Sequence, residues 1–103
     1  MECHITAEVH CHWSESPPVY RIFVDDEMLL ERVFAYPGYN NAIEENIICD
    51  LPNGIHSIRL ENITGNGNFK FQNIKVMGNN IVKHPNYDDP NGMKWTFIVT
   101  HRN

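Results

Sequence analysis

A chain of 103 residues has the length of one ordinary domain, and 42% hydrophobic against 20% charged residues gives it enough apolar surface to bury a core. Thirteen acids against eight Lys and Arg leave a formal charge of −5, which argues against a nucleic-acid binder and against a polybasic membrane anchor. No apolar run approaches the ~20 residues of a membrane-crossing helix, and Met1-Glu2-Cys3-His4 lacks the basic and apolar regions of a secretory leader.

The first element is the clearest. Cys3, Ile5, Ala7, Val9, Cys11 and Trp13 alternate with His4, Thr6, Glu8, His10 and His12, a period of two that predicts a strand with one buried and one wet face. Ser14 to Pro18 breaks it, because proline cannot donate to a ladder. Val19–Val24 is rich in β-formers and predicts a second strand, Asp25-Asp26 a hairpin turn, and Met28–Phe34 a third strand. Tyr36-Pro37-Gly38-Tyr39-Asn40-Asn41 reads as a loop. Ala42–Leu51 alternates without a clean face. Pro52-Asn53-Gly54 is a turn in which Asn and Gly both accept positive φ. His56, Ile58 and Leu60 then mark the inner side of a fifth strand. Phe69–Val76 is a sixth, Gly78-Asn79-Asn80 a turn, and Ile81-Val82 a brief pairing. His84–Gly92 is a polar loop, and Lys94–Thr100 is a last β segment with Trp95, Phe97 and Val99 on one side.

Thirteen asparagines fall mostly where these turns lie. Short strands with turn signals between them and no 3.6-residue period predict one all-β domain over 1–103, an antiparallel two-sheet sandwich, jelly-roll-like, of about 7–8 strands, with the 81–103 tail the least defined part. Cys3, Cys11 and Cys49 are expected to be buried reduced thiols of a protein made in a reducing cytosol, with a bridge from Cys49 to one of the other two as the alternative.

Three stretches carry possible chemistry. His10-x-His12 sets two imidazoles on one strand face about 7 Å apart, with His4 and Glu8 as neighbours, a spacing a transition metal could use and a wet strand face equally produces. Asp25-Asp26-Glu27 and Asn86-Tyr87-Asp88-Asp89-Pro90-Asn91 are oxygen-rich turns. Calcium, which wants six to eight oxygens, is the one cofactor they could accept, at Asp88 and Asp89 above all. Tyr36, Tyr39, Asn40, Asn41 and Tyr87 offer flat rings beside amides, the surface on which a sugar or a neighbouring protein would sit. No nucleophile elbow, His-Glu-x-x-His, phosphate loop or Cys-x-x-Cys is present, and Glu44 and Glu45 point to opposite faces, so no enzyme is expected. His56 is expected to be a buried corner residue bonded to backbone.

Three segments carry a resemblance. Pro18–Arg32 (PVYRIFVDDEMLLER) resembles the strand, Asp-rich turn and strand that open small carbohydrate-binding-module-like sandwiches. Asp50–Leu60 (DLPNGIHSIRL) is similar to their turn-Gly-x-His-x-aliphatic hairpin, and Phe71–Asn79 (FQNIKVMGN) to their closing Asn-Ile-x-Val-x-Gly strand. These modules include the calcium-dependent xylan-binding type. Small standalone proteins of this kind also resemble accessory virion proteins of tailed phages, those of marine cyanobacteria among them. The resemblance covers about Ile5 to Asn80. It implies a non-enzymatic accessory structural protein of a virion, decorating a capsid or attached to the tail and assembled in the host cytoplasm. Its partners would be other protein subunits. The alternative is a module for host or environmental polysaccharide, assisted by calcium.

Overall fold

The computed structural model describes residues 2–36, 42–80 and 93–100, Asn80 by its backbone only. Within them lie eight strands: β1 (Glu2–His12), β2 (Val19–Val24), β3 (Glu27–Val33), β4 (Ala42–Asp50), β5 (Gly54–Asn62), β6 (Asn68–Val76), β7 (Asn79–Asn80) and β8 (Lys94–Val99). They form two antiparallel four-stranded sheets, ordered β4-β1-β6-β7 and β3-β2-β5-β8. The all-β two-sheet sandwich is therefore the fold, with β7 only two residues long.

Alternation along each strand decides what meets between the sheets. On β1 Cys3, Ile5, Ala7, Val9 and Cys11 are buried, while Glu2 and His4 are exposed and the other alternates half-buried. Facing them from the second sheet are Tyr20, Ile22 and Val24 of β2, Ile58 and Leu60 of β5, and Phe97 and Val99 of β8. Tyr20 packs edge-on against Phe69 of β6 at 5.6 Å between ring centres, and Phe34 packs on Phe69 at 6.2 Å, so one aromatic cluster joins the layers. Trp95 bridges them again, donating its indole N–H to the Phe71 carbonyl at 3.2 Å. Full burial of such side chains contributes about 1.5–3 kcal/mol each.

Asp25 and Asp26 both hold positive φ (51° and 66°), the conformation of a two-residue hairpin turn between β2 and β3. The expected turn at Pro52-Asn53-Gly54 joins β4 to β5, although of Asn53 and Gly54 only Gly54 has positive φ (136°). The turn expected at Gly78-Asn79-Asn80 sits earlier, at Met77-Gly78 (φ 52° and 83°), which frees Asn79 to pair with Val76 as β7. Ile81-Val82 lies outside the described residues. Cys49 is half-buried rather than buried. Trp13 falls just past β1, half-buried, and donates its indole N–H to the Tyr36 carbonyl at 2.9 Å.

β6 contains one extra residue opposite the Thr6–Glu8 stretch of β1, and Asn73 takes positive φ (52°) there. The bulge turns Gln72 and Asn73 both outward before Ile74 returns to the core.

Candidate functional site

The β1·β6 register sets His10 opposite Lys70, His12 opposite Asn68 and Glu8 opposite Gln72, all on the outer face of the first sheet. Asn73, brought out by the bulge, donates to Glu8 Oε2 at 2.6 Å, and the His10 ring lies 3.1 Å from Glu8 Oε1 and 3.2 Å from the Gln72 amide. The Asn73 hydrogen bond, followed by the one from His10, holds the Glu8 carboxyl below its usual range. Beside this network His10, His12, Asn68, Lys70 and Gln72 line a shallow cleft of about 220 Å³. An ammonium, two imidazoles and two carboxamides converge there, a donor-rich set suited to the hydroxyl and carboxylate oxygens of a polar ligand. As expected, His10 and His12 share a face, but among the described residues no three His, Cys, Asp or Glu side chains come together to hold a metal ion. His10 is engaged with Glu8 instead.

Of the residues read as a ligand surface, Tyr36 is 54% exposed, with its ring edge-on to Phe34 at 6.2 Å. The Trp13 bond and this ring contact pin the start of its loop to the core. Tyr39, Asn40 and Asn41 lie outside the described residues, as do Tyr87, Asp88 and Asp89, the proposed calcium ligands.

Among the described residues, Glu45 and His56 are buried charged or titratable side chains, and each centres a polar node. The first centres on Glu45 of β4, 2% exposed. Its Oε1 accepts from the Tyr20 hydroxyl at 2.7 Å and from Arg32 Nε, and its Oε2 accepts from Arg32 Nη2 at 3.2 Å. A residue of the first sheet thus ties β2 and β3 of the second, and the bidentate guanidinium supplies the countercharge that a buried carboxylate needs. Burial first, and then the hydrogen bond to Glu45, raise the Tyr20 hydroxyl far above its ordinary pKa. Glu44 points outward, as alternation requires.

The second node is His56 of β5, 7% exposed. Its Nδ1 lies 2.5 Å from Asp25 Oδ2 and its Nε2 lies 2.7 Å from the Pro52 carbonyl. Both neighbours are acceptors, so the doubly protonated ring is the form that satisfies them. Burial opposes that charge, but the Pro52 and Asp25 hydrogen bonds outweigh it and hold the imidazole above its ordinary pKa. The backbone bond was legible in the sequence; the carboxylate was not. Asp25 also accepts from the Ser57 amide at 2.9 Å, so its oxygens serve β5 rather than an open calcium loop. Asp25, His56 and Ser57 have the composition of a hydrolytic triad without its wiring, since His56 Nε2 is spent on Pro52 and Ser57 points to the opposite face of the strand.

The chain matches no protein-family model, no curated protein and no solved structure.

Proposed function

We propose that the chain is a non-catalytic binding module whose ligand face is the outer surface of the first sheet, and that an acidic polysaccharide is what it takes there. The observation that carries this reading is the cleft of His10, His12, Asn68, Lys70 and Gln72: a donor-rich patch that includes the Lys70 ammonium, on a chain of net charge −5. Such a patch favours a ligand that brings its own oxygens and negative charge, and it leaves the wall of the cleft rigid because β1 and β6 are paired along it. Asp88 and Asp89 are the calcium-bearing part of the proposal. The test is titration of the isotope-labelled protein with polygalacturonate, with and without calcium. Amide shifts confined to His10, His12, Asn68 and Lys70, lost in Lys70→Gln, support it. Shifts absent from this face at millimolar sugar sink it.

A second reading, an accessory structural protein of a tailed-phage virion, draws on the opposite surface. Ile55 and Ile98 face each other across β5 and β8, each 68% exposed, on the outer face of the second sheet. A cross-strand apolar pair left to solvent is the kind of feature a neighbouring subunit covers. Ile55→Lys with Ile98→Lys would abolish incorporation into particles while leaving the fold intact. Unchanged incorporation would remove this reading.

A further inference from the structure

Cys3 and Cys49 are direct partners in the β1·β4 register, both on the inward side of their strands. The Met77 amide donates to the His4 carbonyl at 2.8 Å, so the backbone groups of His4 face away from β4, and those of Cys3, one residue back, face toward it. Cys3 and Cys49 are thus a hydrogen-bonded pair, whose alpha carbons stand about 5.5 Å apart, inside the range that disulfides span. Cys49 is half-buried and so within reach of a reagent, while Cys3, its neighbour across the strands, is at 0% exposure. The third thiol is placed differently. Cys11 is eight residues further along β1, opposite Phe69.

We propose that Cys3 and Cys49 close a reversible cross-strand disulfide in the native fold when the protein meets a small-molecule disulfide, stapling the edge strand β4 to β1. The Cys49 thiolate attacks one sulfur of glutathione disulfide, the S–S bond breaks, and one glutathione thiolate leaves. The Cys3 sulfur, giving up its proton, then attacks Cys49 and displaces the second glutathione. Two electrons and two protons pass from the protein to the reagent, which becomes two glutathione thiols. A hydrogen-bonded pair holds its beta carbons wider than the ~3.8 Å of a relaxed disulfide, so the strand ends must draw together, and bridges under such strain are the reducible ones. Burial raises the Cys49 thiol above its ordinary range, with the Cys3 thiol adding to the shift, so the exchange is slow at neutral pH and quickens in mild alkali. The staple would fix the strand that carries Glu45 and leads into Pro52, and so both buried nodes.

The folded full-length protein is incubated with glutathione disulfide at mildly alkaline pH and examined by intact mass and peptide mapping. The expected result is loss of two of the three thiols, a mass lower by two hydrogens, and one peptide pair joining Cys3 to Cys49. Dithiothreitol reverses the change, Cys11→Ser reproduces it, and Cys49→Ser abolishes it. A glutathione adduct that persists on Cys49, a bridge that includes Cys11, or a native chain that stays reduced while the same chain in urea forms the bridge overturns the proposal.

Discussion

Glu45 and Glu8 lie on neighbouring strands of one sheet, and each accepts from two side chains, Tyr20 and Arg32 for one, Asn73 and His10 for the other. The register places Glu45 opposite Ala7 on the inner face and Glu8 opposite Glu44 on the outer face. The bonding is alike and the setting is not: Glu45 retains 3% of its side-chain exposure, Glu8 34%. A carboxylate inside the sandwich that loses its partners has no water to replace them, whereas one outside does. Strand alternation, rather than the number of hydrogen bonds, thus sets what each group contributes to the fold.

The largest effect follows at Glu45. Glu45→Ala leaves the buried Tyr20 hydroxyl without its acceptor and Arg32 without its countercharge, and is expected to cost about 3 kcal/mol in urea denaturation. The figure sits at the low end for buried pairs because Arg32 keeps half its exposure. Tyr20→Phe should cost about 1 kcal/mol, and the Glu45→Gln/Tyr20→Phe double mutant should fall short of additivity, since the two groups share one bond. A Glu45→Gln loss no larger than that of Glu8→Gln would show that burial adds nothing to the contribution of the inner carboxylate.

The same contrast repeats in two glycines of one loop. Gly65 and Gly67 hold nearly equal φ (80° and 82°), but a Cβ on Gly65 meets nothing within 4 Å, while one on Gly67 would lie 2.9 Å from Cys11 Sγ and 3.2 Å from Pro18 Cγ. Cys11 and Pro18 are both buried and cannot step aside into solvent. Gly65→Ala is therefore expected to show only the left-handed backbone penalty, about 1 kcal/mol, and Gly67→Ala about 2 kcal/mol with the clash added. Equal melting shifts for the two would show that the inner face yields more readily than its packing implies.

Much of this was legible in the sequence, for a definable reason. The strict alternation of β1, the β-formers of β2 and the inward Trp95, Phe97 and Val99 of β8 carry their burial in a period of two, and their strands stand within a residue or so of the expected bounds. What escaped depends on partners distant in sequence. Glu45 stands in the apolar register of β4 between Ile43 and Ile47, and that position was the available signal for a buried acid. Arg32, its countercharge, arrives from another sheet. Asp25 looked like an oxygen ligand because its turn is acidic, but His56 lies 31 residues on. The bulge that turns Asn73 toward Glu8 left no mark on the pattern of β6, since Gln72 and Asn73 both read as ordinary polar residues. Cys3 opposite Cys49 is likewise a fact of register, which only the pairing of β1 with β4 supplies.

His56 extends the inner half of the comparison into pH. An imidazole held above its ordinary pKa binds its proton more tightly folded than unfolded. Its contribution is complete below the unfolded value of about 6.5 and drains away as pH rises through the folded one. The urea midpoint is therefore expected to fall as pH rises above about 6.5. Asp25→Asn should flatten that slope and cost about 1 kcal/mol at the acid end, a modest figure because the Asp25 carboxylate is 40% exposed. A slope unchanged in Asp25→Asn would mean that the titration belongs to another group.

The smallest effect is expected at Glu8. Its carboxyl is held below its ordinary range, by the Asn73 bond first and the His10 bond second, so whatever it contributes is present above the unfolded carboxylate value of about 4.3 and is lost as pH falls through the lower folded one. At neutral pH Glu8→Gln keeps the shape, lets water take over the lost bonds and relieves the charge that Glu44 sets directly opposite. The two terms oppose each other, and the net change in stability should stay within about 0.5 kcal/mol. The substitution should instead alter ligand capture, because it removes the negative charge beside His10 and leaves the Lys70 ammonium as the charge lining the cleft. Polygalacturonate is expected to bind the Glu8→Gln protein more tightly than the parent, by a factor that shrinks as salt is added. Weaker binding would mean that Glu8 positions His10 for the ligand, and a loss of stability as large as that of Glu45→Ala would erase the distinction between the two faces.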